Sequence, residues 1–195
     1  MSSPLDAKPK VEVYDRAAWR AWLEANHATS TGVWMVTWRA RKGAAAGVDY
    51  EAAVQEALCF GWVDSTAGVV DELRGRIYMA PRKAKSPWAA TNKARVELLI
   101  RDGLMRPAGL AVIEQAKANG WWSILDGPER LEVPADLAAV LEAAGPAAFA
   151  AWAAWPPSVR KQQLTQIAYA QRPETRVARI EKIVDFARRG VRPPA

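Results

Sequence analysis

The chain reads as an α+β protein: a small antiparallel or mixed sheet packed with helices, followed by a helical C-terminal segment. Three observations predict this. Runs rich in valine and aromatic residues fall within the first 82 residues, among them "GVWMVTWRAR" at 32–41 and "GRIYMAPR" at 75–82, and such runs form strands. Stretches with apolar residues at helical spacing alternate with them. From residue 134 onward every segment is helix-prone, and prolines at 134, 146, 156, 157 and 173 punctuate the series.

Taken in order, "MSSPLDAKPK" is rich in Pro, Lys and Ser and predicts a flexible tail over residues 1–10. "VEVY" (11–14) is a short strand. Asp15 caps a helix through "RAAWRAWLEANH", with Trp19, Trp22 and Leu23 at helical spacing. The segment 32–41 is a strand and "KGAAAGV" (42–48) a loop. Asp49 caps a helix over 49–60, Glu51 supports its first turn, and Gly61 ends it. "WVDSTAGVV" and "GRIYMAPR", joined by the polar "DELRG", form a hairpin. Ser86 and Pro87 read as an N-cap and first-turn proline opening a helix that Gly103 ends. Pro107 opens another, with Leu110, Ile113 and Lys117 down one side. After the aromatic "WWSILDG" the texture changes at 127–133. The expected division is an α+β domain over 11–127 and a helical domain over 134–192 packed on it.

Composition limits the function classes. Half of the 195 residues are hydrophobic and a quarter are charged, as in soluble globular proteins. The net charge of +6 favours anionic partners without choosing among them. Cys59 is the only cysteine and His27 the only histidine. That leaves no intrachain disulfide and too few ligands for a Cys/His zinc centre, so no metal is expected. No nucleophile turn surrounds His27, and no phosphate-loop motif is present, so no cofactor is expected. No apolar run approaches 18 residues and the start lacks the apolar core of a secretory signal, so a cytoplasmic protein without membrane insertion is expected.

Two short stretches concentrate functional groups: "ALCFGWVDS" (57–65) and "APRKAKSPWAATN" (80–92). On helix 49–60, Ala53, Val54, Ala57 and Phe60 share the core face, Glu56 lies at its edge and Cys59 nearly opposite its centre. Cys59 is therefore either covered by a second element as a small hydrophobe or available as a nucleophile. Asp64 shares a sheet face with Trp62 and is either paired with an arginine or placed at a rim. In the second stretch, Arg82, Ser86, Trp88 and Asn92 make a cradle for a carboxylate, a phosphate or an aromatic anion, or else a capped helix with a solvated basic start. On the last helix, Arg176 lies within a stripe of Val177, Ile180, Ile183, Val184 and Ala187. It either snorkels outward or meets a carboxylate of the first domain, with Asp64 and Glu56 as the expected partners.

Together "EALCFGWVDS", "APRKAKSPWAATN", "LIRDGLMRPAGLAVIEQAK" and "PETRVARIEKIV" resemble the bacterial YdeI/OmpD-associated, or bacteriocin-protection, proteins, across nearly the whole chain from about residue 11. Glu56 to Trp62 and Asp64 match the first motif; Pro81, Arg82, Ser86, Trp88 and Asn92 the second; Met105 and Gly109 the third; Thr175 and Arg176 the fourth. Val63, Ser65 and Ala89 depart from the usual Ile, Gly and Ser. The resemblance implies a small cytoplasmic α+β protein with a helical C-terminal segment and a role in protection against bacteriocins or envelope stress. The expected function is a resistance protein that binds a small anionic or aromatic ligand through Trp62, Asp64, Arg82, Ser86, Trp88, Asn92 and Arg176. The alternatives are an enzyme using Glu56, Cys59 and Asp64, and, ranked last, a basic nucleic-acid binder.

Overall fold

The computed structural model describes residues 4–39 and 47–194. Most of the loop expected at 42–48 lies outside these. The chain divides into a sheet unit, Met1–Ser86 and Thr91–Asn119, and a helical unit, Pro87–Ala90 and Gly120–Ala195.

In the sheet unit, β1 (Lys10–Glu12) runs parallel to β2 (Val33–Trp38), so the chain must cross over between them, and α1 (Arg16–Asn26) makes the crossing. After α2 (Tyr50–Cys59), the strands β3 (Trp62–Val69) and β4 (Arg74–Pro81) form the expected antiparallel hairpin. β4 also pairs antiparallel with β2, giving a mixed sheet in the order β1-β2-β4-β3. Then come α3 (Ala90–Arg101) and α4 (Pro107–Ala118). The helical unit holds α5 (Asp126–Glu129), α6 (Ala135–Ala143), α7 (Pro146–Ala154), α8 (Pro157–Ala168) and α9 (Pro173–Arg188). The protein is α+β with C-terminal helices.

Local chemistry sets the helix starts. Asp15 accepts from the Ala18 N–H and Asp49 from the Ala52 N–H, both at 2.7 Å, each replacing a partner the first turn lacks. The first four residues of β2, "VWMV", are all buried, as in a strand covered on both faces. Trp19 and Leu23 of α1 are buried, as are Ala53, Val54 and Ala57 of α2, and the Trp19 indole donates to the Ala53 carbonyl at 3.0 Å. Gly61, at φ +75°, lets the chain reverse from α2 into β3 without a Cβ clash. Gly109 permits a closer approach: a Cβ there would lie 2.3 Å from the Cys59 carbonyl oxygen. Backbone thus packs on backbone where α4 meets the end of α2. In the helical unit, Leu137, Leu141, Trp152, Leu164, Ile167 and Ile180 belong to one core cluster.

Three expectations are corrected. Part of the expected flexible start is ordered: Pro4–Ala7 form a 3-10 turn, the Trp34 indole donates to the Leu5 carbonyl at 2.7 Å, and Arg76 bridges Asp6 at 2.8 Å. The helix expected to open at Ser86–Pro87 starts at Ala90. Its first N–H faces the Glu129 carboxylate at 3.3 Å, and the Ser86 hydroxyl instead accepts from Arg82 at 3.2 Å. Two apolar stripes differ from the expected ones: on α4 the buried line is rotated by one residue about Ile113, and on α9 it starts one turn later. Leu110 is 41% exposed while Gly109, Ile113 and Ala116 are buried, and Val177 is 54% exposed, so the buried stripe of α9 begins at Ile180.

Candidate functional site

The seven residues expected to line one hollow divide between the units: Trp62, Asp64, Arg82, Ser86 and Asn92 belong to the sheet unit, Trp88 and Arg176 to the helical unit.

Glu56 and Cys59, two of the three candidates for chemistry, lie in the last turn of α2 and are both buried, as is the ligand candidate Trp62 at the start of β3. Glu56 is only 2% exposed. It accepts from Arg16 Nε at 2.6 Å and from Arg20 at 2.7 Å, and Arg20 also donates to the Leu104 carbonyl at 3.0 Å. One guanidinium thereby ties α1, α2 and the loop before α4. The helical wheel places Glu56 at the edge of the core face, and α1 covers that edge with two arginines one turn apart. Cys59 is buried and its carbonyl accepts from the Arg106 N–H at 3.0 Å. Burial, helped by the Glu56 charge, pushes the thiol above its usual value although Arg20 opposes it. An activated thiolate needs the reverse. Trp62 is 1% exposed, donates to the His27 carbonyl at 3.2 Å and meets Trp22 edge-on at 5.7 Å. It is core rather than ligand wall.

Asp64, Arg82, Ser86 and Asn92 belong to a polar cluster completed by Tyr50, Glu51 and Arg95. The Tyr50 hydroxyl donates to Asp64 at 2.8 Å. Burial, then that bond, keeps the phenol protonated beyond its ordinary range. Arg95 binds Glu51 with two bonds of 2.8 and 2.6 Å and Asn92 with one of 2.8 Å. Arg82 is 7% exposed; burial lowers its pKa to about 10 against the opposing charge of Asp64, so it is cationic at neutral pH. Tyr50 and Arg95 were missed because the link from Tyr50 to Asp64 and from Arg95 to Glu51 is tertiary, with no signature in local spacing.

In the helical unit Trp88 is buried with its ring centroid 4.9 Å from that of Trp122. Arg176 pairs with neither Asp64 nor Glu56. It grips Asp136 through two bonds of 2.6 and 3.0 Å and donates to the Ile167 carbonyl at 3.3 Å. This bond holds the Asp136 carboxyl below its usual range. The guanidinium is one-third exposed at the edge of a cleft of about 240 Å³. Pro128, Val133, Pro134, Leu164 and Ile167 form apolar walls, and Glu132 is the one acid among the lining residues. Among the described residues, three of the five N–H groups of Arg176 have partners and two are left over.

The fold and these sites define a two-unit α+β protein with a mixed-sheet unit, whose polar groups pair with one another, and a helical unit with an arginine-edged cleft. The chain belongs to the family described as "Domain of unknown function (DUF8412)", whose model matches residues 11–112 and so more than half of the 195 residues. Residues 130–190 match the family described as "Bacteriocin-protection, YdeI or OmpD-Associated". The second match bears out the resemblance but confines it. The motif "PETRVARIEKIV" lies inside 130–190, whereas the motifs around Cys59 and Arg82 lie inside the first family's span. No curated protein and no solved structure matches the chain.

Proposed function

We propose that this is a cytoplasmic resistance protein of the bacteriocin-protection kind that works by binding a small aromatic or aliphatic acid at the Arg176 cleft. The observation that carries the reading is the cleft itself: apolar walls with one guanidinium at the edge, inside the segment similar to the YdeI/OmpD-associated family. Binding pockets combine apolar lining with a few placed polar groups in this way. Its volume of about 240 Å³ lies below the roughly 300–1,000 Å³ usual for drug-sized ligands, which sets the size class. The two uncommitted N–H groups of Arg176 orient a carboxylate, and the walls take the ring or chain. The proposal narrows the small anionic or aromatic ligand expected from the sequence to an acid, and of the seven residues expected to bind it keeps Arg176.

Thermal melting with benzoate-type acids and their uncharged amides tests the reading. The acids raise Tm in a saturable way, the amides do not, and Arg176→Met abolishes the shift. In cells, deletion of the gene lowers the bacteriocin dose that halts growth, and wild type restores it where Arg176→Met does not. No shift with any acid, or an undiminished shift in Arg176→Met, would falsify the reading.

A further inference from the structure

The positive charge is unevenly placed along the chain. Residues 156–195 hold nine Lys and Arg against three Asp and Glu, while residues 1–155 hold eighteen of each. Nine less three gives the whole excess of +6, so all of it sits on α8, α9, the turn between them and the segment after them. Within the helical unit, a second cleft, of about 280 Å³, lies where these elements meet. Gln162, Gln163 and Gln166 of α8 line it, with Arg179 and Lys182 of α9. Ile183 and Phe186 add apolar surface, and no acid lines it. The Arg179 guanidinium donates to the Gln166 carbonyl, which fixes the head group beside the cleft. The neighbouring cations Arg176 and Arg189 pair with Asp136 and Asp185, and Lys161 with Glu129. Among the described residues no carboxylate lies within ion-pair reach of Arg179 or Lys182.

We propose that this cleft binds a phosphate monoester. Two cations without a lining acid match a group that carries about −1.5 to −2 charges at neutral pH. A guanidinium, an ammonium and nearby amides supply donors for three terminal oxygens, with the arginine fork suited to two of them. A carboxylate offers one charge and two oxygens, which leaves part of this donor set unused. The apolar surface at Ile183 and Phe186 takes a small organic body, and the volume excludes a large one. The site is separate from the Arg176 cleft, which shares no lining residue with it.

The test is an NMR titration of the ¹⁵N-labelled full chain with phenyl phosphate, and with benzoate in parallel, at constant ionic strength. Phenyl phosphate is expected to move the side-chain amide resonances of Gln162, Gln163 and Gln166 to saturation. Arg179→Gln and Lys182→Gln should each weaken binding about tenfold, as loss of one charge-assisted bond does. Arg176→Met should leave it unchanged. Lys182 is exposed and anchors no backbone group, so its variant keeps the fold. A lack of saturable shifts, shifts confined to other residues, benzoate binding as tightly as phenyl phosphate, or wild-type affinity in Lys182→Gln overturns the proposal.

Discussion

Glu56 in the sheet unit and Asp136 in the helical unit each accept from arginine through both oxygens, yet they sit in opposite settings. Glu56 has almost no solvent contact and is served by two guanidiniums from α1. Asp136 is nearly half exposed and meets one guanidinium beside an open cleft. A buried carboxylate must have its charge compensated inside the protein, because water is not there to do it. An exposed one has water as an alternative partner, so its arginine can turn to a ligand at little cost. The motif-rich residues around Cys59 are thus spent on holding α1, α2 and α4 together, while the clefts of the helical unit keep donors to offer.

The largest effect expected from breaking this comparison is at Glu56. Glu56→Ala should lower the stability of the sheet unit by about 3 kcal/mol in chemical denaturation, the low end for breaking a buried pair because both arginines keep some access to water. Next is Asp136→Asn, with a loss of about 0.5–1 kcal/mol. This second difference depends on pH in a set direction. Arg176 holds the folded Asp136 pKa below the ordinary 3.8, so the wild-type advantage is present above pH 3.8 and disappears as pH falls through the lower, folded value. A gap between wild type and Asp136→Asn that persists at the acid end would mean that something other than the ion pair stabilises wild type. The smallest effect is at Tyr50→Phe, about 0.5 kcal/mol, since the bond to Asp64 is exposed. The Tyr50 pKa is raised above 10. The wild-type advantage should therefore hold below pH 10 and fade as pH rises through the folded value, measurable by melting against pH.

Features set by neighbours in sequence were legible. Asp15 and Asp49 cap helices through their own first turns, the β3–β4 hairpin follows from two apolar runs around a polar turn, and prolines mark the starts of α7, α8 and α9. Features set by distant partners were not. Arg176 had the right need, a carboxylate, but the partner lies forty residues upstream on α6 rather than at Asp64 or Glu56 of the sheet unit. Ser86 has the chemistry of a cap, yet the helix waits until Ala90, where Glu129 supplies the acceptor from elsewhere in the chain. The burial of Trp62 and the partners of Glu56 were hidden for one reason: a wheel or an alternation pattern assigns faces, and which faces another element covers is decided by the fold.

The missing side chain at Gly109 has a consequence for the thiol of Cys59. At this crossing the backbone of α4 lies against the backbone of the last turn of α2, and Cys59, the only cysteine of the sequence, is fully buried there. Any residue larger than glycine at 109 would therefore force the two helices apart and open the packing around a thiol that is otherwise out of reach of solvent.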